Sequence, residues 1–148
     1  MAKSYRLGPA RQTVNVVVGA MLRLGIGPKS NYLLTTTGRK SGQSRTTPVI
    51  LVEFNTERWL VSPYGTVSWV HNVRAQPQVS LRRGRRTETL RAEEVGAEAA
   101  GPVLQRYVRQ VRVTAPFFDA KGDDPTEQFI EEARSHPVFR LTPVSQGR

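Results

Sequence analysis

The sequence predicts a mainly antiparallel β-sheet or barrel with flanking helices, an α+β fold, on three observations. Short apolar runs follow one another through glycine- or asparagine-containing turns, as hairpin-joined strands do. Helical periodicity interrupts these strands instead of alternating with them one for one, which argues against a doubly wound parallel sheet. The chain has 148 residues and no cysteine, so the fold rests on a buried core, with no disulfide and no thiolate metal site. One domain spanning residues 1–148 is the expectation, with residues 1–28 forming a basic, amphipathic N-terminal segment.

The elements follow in order. Thr13 to Ile26 places Val14, Val17, Val18, Met21, Leu22 and Ile26 at near-helical spacing, and Gly25, Gly27 and Pro28 end that helix. Such a helix packs on the sheet or lies on a membrane surface, with Arg6, Arg11, Arg23 and Lys29 near its ends. Strands are expected at 31–37, 45–54 and 58–62, the last two joined through Asn55-Thr56. Val49 to Val52 are apolar in succession, the mark of a strand covered on both faces. A short helix over 65–76 is closed by Pro77 and turns Val67, Val70 and Trp69 inward. Strands at 79–81 and 87–95 flank the charged turn Arg82 to Arg86. A long helix over 97–113 stacks Leu104, Tyr107, Val108 and Val111 on one face. A helix over 126–135 and a strand over 138–141 complete the chain.

Charge is unevenly placed. The net charge is +10, yet Met1 to Val52 carries eight cations and no acid, while the remainder holds fourteen cations against twelve acids. Arginine outnumbers lysine eighteen to four, a compositional habit that does not explain missing acids. A positive field of this kind suits an anionic ligand, a membrane surface or a nucleic acid. No apolar run reaches about 20 residues, so no helix is expected to span a bilayer. A basic start without a secretory cleavage signature makes the cytoplasm the expected compartment, with attachment to the inner membrane face as the alternative.

The turn from Thr37 to Thr46 concentrates the chemistry. It holds two glycines, four hydroxyls, an amide and the cations Arg39, Lys40 and Arg45. Guanidinium forks and a lysine point charge bind phosphate or carboxylate, and Gly38 and Gly42 let backbone amides approach an anion. It is neither a Walker A loop nor GxGxxG. A solvated hairpin tip is the plain alternative. Ser62-Pro63-Tyr64-Gly65 forms a second turn before a helix, where backbone amides favour an anion or a carbonyl oxygen. Trp69 and Asn72 lie three apart on that helix, so an aromatic face and an amide meet one ligand if Trp69 is not core. His71 points elsewhere and reads as a surface residue. Arg82, Arg83, Arg85 and Arg86 read as a solvated turn. Neither a Ser-His-Asp arrangement, nor a carboxylate pair, nor a metal cluster emerges, so any redox chemistry is expected to come from a bound cofactor.

The segment Leu33 to Pro48 (LLTTTGRKSGQSRTTP) resembles the signature of the deazaflavin (F420)-dependent nitroreductase family, largely actinobacterial F420H2-dependent reductases. The likeness continues through Ser62 to Gly65 and through Trp69 to Val79 (WVHNVRAQPQV), which is similar to the family pattern W-x-x-N-[LV]-[KR]-A-x-P-x-V. The resemblance implies a split β-barrel of the FMN-binding-like type. It implies coenzyme F420 as cofactor, with Arg39, Lys40, Ser41, Gly42 and Arg45 at its phosphate and oligoglutamate tail. Thr47, Pro48, Ser62, Pro63, Tyr64 and Gly65 would line the ring, with Trp69 and Asn72 nearby. It further implies hydride transfer from the reduced deazaflavin to a quinone, nitroaromatic or similar acceptor. The family's tyrosine-rich substrate region has no match past Val95, and Tyr107, Phe117 and Phe118 are the substitutes this chain offers at the substrate. Ser62-Pro63-Tyr64-Gly65 departs from the Ser-Lys-Gly-Gly type turn of several members, lacking its cation and one glycine. Three other readings compete. They are an F420 or anion carrier without turnover, an FMN-binding reductase, and a nucleic-acid binder, the last disfavoured by 7% aromatic content.

Overall fold

The computed structural model describes residues 30–144. The predicted helix over Thr13 to Ile26 lies outside them. Six strands, β1 (Asn31–Thr37), β2 (Ser44–Phe54), β3 (Glu57–Val61), β4 (Gln78–Arg83), β5 (Arg86–Glu94) and β6 (Val138–Pro143), form a closed barrel. Their order around it is β1-β2-β3-β6-β5-β4, and every neighbouring pair is antiparallel. Among the described residues three α-helices accompany them: α1 (Ser68–Ala75), α2 (Ala97–Gln110) and α3 (Thr126–Glu132). This is the mainly antiparallel barrel with flanking helices that the turn pattern predicts.

Alternation along the strands sorts apolar side chains into two cores. The barrel interior draws Leu34, Leu51, Leu60, Val79, Leu81, Leu90, Ala92, Phe139 and Leu141 from all six strands, and α1 adds Val70 and Val73. The second core lies outside the wall, where Val52, Trp59, Val61 and Val138 meet Val103, Leu104, Tyr107 and Val108 of α2 and Phe129 of α3. Neighbours Leu51 and Val52 therefore enter different cores, which is why the run from Val49 to Val52 is apolar throughout. Each fully buried leucine or phenylalanine contributes about 1.5–3 kcal/mol of burial.

Turn chemistry fixes the register. β2 and β3 are joined by two residues, Asn55 (φ 54°) and Thr56 (φ 62°), both left-handed. Asparagine tolerates that region, whereas a β-branched residue there is strained by about 1–2 kcal/mol. Between β4 and β5, Gly84 (φ 62°) takes the left-handed position and relieves such strain. Pro48 sits within β2, but the stretch Ser44 to Ile50 pairs with β1 alone, so the missing N–H falls on an open edge.

All three helices are shorter than predicted, the one expected over 126–135 ending at Glu132. The expected helix over 65–76 begins only at Ser68, because Gly65 adopts φ +90° and Val67 N–H bonds back to the Gly65 carbonyl at 3.0 Å. The helix over 97–113 stops at Gln110. Thr114 then turns back on Val111, its Oγ1 donating to the Val111 carbonyl at 2.6 Å, and Pro116 has no N–H to continue a helix. The segment Arg112–Phe117 follows as a 3₁₀ turn. α2 and α3 cross at Gly101, which is buried against Ile130.

Candidate functional site

The predicted anion turn is the six-residue connection between β1 and β2. It is closed by Gly38 N–H donating to the Gln43 carbonyl at 2.7 Å and by Gly42 N–H donating to the Gly38 carbonyl at 2.8 Å, with Gly42 at φ +74°. Ser41 Oγ accepts from Gln43 N–H at 3.1 Å, so this hydroxyl helps shape the tip.

Asn72 anchors that turn from below. It is 2% exposed on α1, and its Oδ1 accepts from the Arg39 backbone N–H (3.2 Å) and from Arg39 Nη1 (2.9 Å). Its Nδ2 donates to Thr36 Oγ1 at 3.2 Å, and Thr36 is likewise 2% exposed. Arg39 Nη1 also reaches the Ser68 carbonyl and Oγ, each at 3.4 Å. Structure thus brings together two stretches that sequence could only place side by side: the cationic turn stands against the first residues of α1, just beyond Ser62 to Gly65. Asn72 acts through Arg39 and Thr36, and its buried amide leaves little to offer a ligand directly.

Register decides which of the remaining residues share a face. Thr36 pairs with Arg45 and Leu34 with Thr47, so Arg45 and Thr47 lie on the face that carries Thr36 and the interior residue Leu34. That face is the barrel mouth closed by α1. Thr46 lies on the opposite face, where its hydroxyl meets that of Thr35 at 2.9 Å, and Pro48, opposite Leu33, shares that side. Thr47 and Pro48 therefore do not point the same way. Lys40 and Arg45 are exposed and have no ion-pair partner among the described residues.

Trp69 is half-buried, with its ring 5.7 Å from that of Phe139, so much of it caps the barrel interior. His71 is exposed, in keeping with its predicted position. Ser62 and Pro63 are buried, and Ser62 Oγ donates to the Gly65 carbonyl in a short bond that pinches the turn. Tyr64 is half-buried and meets Phe117 edge to face, with centroids 4.8 Å apart and planes at 80°.

Tyr107 and Phe118 stand elsewhere than the substrate contacts expected of them. Tyr107 is 3% exposed and Phe118 is 6% exposed, both within the helix-facing core. Burial pushes the Tyr107 hydroxyl well above the ordinary phenol range, so it stays un-ionised. Of the three aromatic candidates, Phe117 is half-buried and the other two are buried.

Beneath the Ser62 to Gly65 turn lies a buried acid–imidazole pair that the sequence analysis missed. His136 is 4% exposed and Glu132 is 8% exposed, with Nε2 to Oε1 at 3.3 Å. The imidazole stacks on Phe118, with centroids 3.9 Å apart and planes at 23°. Glu132 Oε2 also accepts a short bond from the Ala120 N–H. Burial lowers the His136 pKa, against the opposing pull of Glu132 and of the Pro63 and Ser62 backbone. The i,i+4 spacing of Glu132 and His136 was the only local signal for this pair.

Likeness to known proteins bears on identity. The profile of the F420H(2)-dependent quinone reductase family matches residues 6–128. Among solved structures, an F420-H2 dependent reductase (FDR-A) is similar at 28% identity and TM-score 0.56, over 77% of this chain and 95% of that one. A domain-swapped dimer is similar at 25% identity and TM-score 0.58, over 91% and 100%. The Vibrio cholerae haem storage protein HutZ, at 15% identity and TM-score 0.55 over 97% and 93%, shares the fold alone. The barrel, the cationic turn held on α1 and a profile spanning most of the sequence agree: the chain belongs to the F420H(2)-dependent quinone reductase family and is an oxidoreductase that uses coenzyme F420 in its reduced form.

Proposed function

We propose that the barrel mouth between the β1–β2 turn and α1 holds F420, and that a quinone is the acceptor. The observation that carries this reading is a pair of exposed cations, Lys40 and Arg45, without a partner among the described residues, beside a third, Arg39, fixed on Asn72. A phosphate and carboxylate tail suits that donor set, which adds the hydroxyls of Ser41 and Ser44 to the three cations. Arg39 fixes the turn while keeping further guanidinium N–H groups for the tail. Thr47 on the mouth face and the Ser62 to Gly65 turn flank the ring. Trp69 buttresses them from the barrel.

When bound, the reduced deazaflavin would supply a hydride, which together with one proton would reduce a quinone to the hydroquinone. The chain's own task is to orient the two and exclude water, which requires no strong base. The half-buried Tyr64–Phe117 corner offers the acceptor an aromatic wall. Nitroaromatics, equally flat and electron-poor, suit the same wall as alternative acceptors.

F420 titration followed by fluorescence tests the site. Lys40→Ala and Arg45→Ala are each expected to weaken binding by about 1–3 kcal/mol, the cost of a lost charge-assisted partner. Equal affinity for FMN and F420, or indifference to both substitutions, would overturn the assignment. F420 binding without oxidation by any quinone or nitroaromatic would leave a carrier instead of an enzyme.

A membrane-surface role for residues 1–28 belongs to the same proposal, because lipid quinones stay in the bilayer. It is supported by the eight cations and no acid across Met1 to Val52. The full chain is expected to sediment with anionic vesicles, and a chain lacking residues 1–28 is not. Equal sedimentation of the two would remove this role. Among the described residues no helix is long and apolar enough to cross a membrane.

A further inference from the structure

Three segments distant in sequence converge on Glu132 and His136. From the turn, Ser62 N–H donates to the carbonyl of Pro137, the residue after His136, at 2.9 Å. A Cβ added at Gly65 (φ +90°) would stand 3.5 Å from the Ser135 carbonyl, so the turn lies directly over this stretch. From the segment after the 3₁₀ turn, Phe118 stacks on the imidazole and Ala120 N–H donates to Glu132. From α3, His136 N–H closes on the Glu132 carbonyl at 3.1 Å. Tyr64 and Phe117, the two rings of the acceptor wall, are neighbours of residues tied at this point. An apolar pair would fill the same volume without the desolvation cost of burying an acid and an imidazole, so packing alone does not explain the choice.

We propose that the buried Glu132–His136 pair is a positioning device of the reductase: it seats the Ser62 to Gly65 turn and the Phe117 to Ala120 segment on one support, and thereby fixes the Tyr64–Phe117 wall against which the acceptor rests. This rests on the acceptor site proposed above. The hydrogen-bond inventory supports it. Glu132 receives Ala120 N–H on one oxygen and faces Nε2 on the other, while His136 Nδ1 is buried with no partner. With Nε2–H turned to Glu132, a neutral ring has no second N–H. Protonation adds one, beside the Ser62 and Pro63 carbonyls, and puts charge into a buried site.

The groups facing the ring are few. Glu132 is the charged one, Phe118 and the two carbonyls are neutral, and Tyr107 behind Phe118 stays un-ionised. Because burial lowers the folded pKa below the ordinary imidazole value, acid favours any state in which the turn lifts and the ring meets water. The seat is therefore firm at neutral pH and loosens as pH falls below the ordinary imidazole value.

Two variants test this. His136→Phe keeps an aromatic ring on Phe118 and removes both nitrogens; Glu132→Gln keeps an oxygen for Ala120 N–H and removes the charge. In the cofactor-free protein at pH 7.5, amide hydrogen exchange over residues 62–67 is expected to quicken about tenfold in His136→Phe, with α2 and the barrel strands unchanged. Acidification should quicken the same amides in the wild type, after correction for intrinsic rates, and not in His136→Phe. With F420H2 saturating and a soluble benzoquinone as acceptor, kcat/KM should fall about tenfold in His136→Phe and about threefold in Glu132→Gln, while the Kd for F420, with its tail contacts at the β1–β2 turn intact, should rise by less than kcat/KM falls. Unchanged exchange over residues 62–67 in both variants, or exchange that rises uniformly through the core, overturns the seat. Failure of the wild type to bind F420 would instead sink the functional reading, and the exchange experiment would still decide this one.

Discussion

Asn72→Ala is expected to lower F420 affinity about 10- to 100-fold although the side chain need never touch the cofactor. The amide ties the Arg39 main chain, the Arg39 guanidinium and the Thr36 hydroxyl to α1. Removing it leaves the β1–β2 turn closed by bonds within itself and tied to α1 through the two 3.4 Å contacts of Arg39 with Ser68, so the cations proposed to grip the tail must be ordered at the moment of binding. Stability should fall by about 1–3 kcal/mol, the cost of leaving partners of a buried amide unsatisfied. The fold should persist, because Val70 and Val73 still anchor α1 in the barrel interior. Asn72→Asp should lose less, since its carboxylate keeps both Arg39 bonds and Thr36 can donate its own O–H. Kd by fluorescence and Tm by calorimetry, taken together, check the prediction. An Asn72→Ala protein that binds F420 within twofold of wild type would show that the turn holds itself.

The second large effect is on folding. Gly101→Val should destabilise the protein by about 3 kcal/mol or more, and Gly101→Ala by about 1–2 kcal/mol. A Cβ at Gly101 would stand 2.5 Å from Ile130 Cγ1 and 3.2 and 3.3 Å from the Ile130 N and Cα. Alanine gains up to about 1 kcal/mol of helix propensity over glycine, so the sign of Gly101→Ala rests on whether α3 can withdraw. Backbone atoms of Ile130 close the gap, and α3 leads into the Glu132–His136 seat, so withdrawal is costly at both ends. Ile130→Ala in the same chain removes the nearest atom and should recover part of the Gly101→Ala loss, a coupling that denaturant melts of the four proteins measure. A Gly101→Ala protein more stable than wild type would mean that the two helices separate freely.

Strands were readable wherever the signal was local. The alternation Val79-Ser80-Leu81 and the apolar run Val49 to Val52 put every strand within a few residues of its place, because burial on a pleated surface repeats every two residues. Helix ends were less legible. Gly65 and Thr114 stop helices by a left-handed φ and by a hydroxyl returned to the main chain, and neither interrupts the hydrophobic period.

Of the candidate site, sequence carried the chemistry: an acid-free stretch, a glycine-relaxed turn and three cations on it, which suit an anionic ligand. Those properties belong to composition and to neighbours in the chain. Tertiary structure decided the assignments. It made Asn72 the anchor of Arg39, separated Pro48 from Thr47 by strand register, and placed Tyr107 and Phe118 in the core. It also exposed the seat made by Glu132 and His136 beneath Ser62. They depend on groups well separated in the chain, from Ala120 and Glu132 to Ser62 and Pro137, meeting within hydrogen-bond or van der Waals distance. No local period encodes such a meeting, because closure of the barrel and the crossing of α2 with α3 set it.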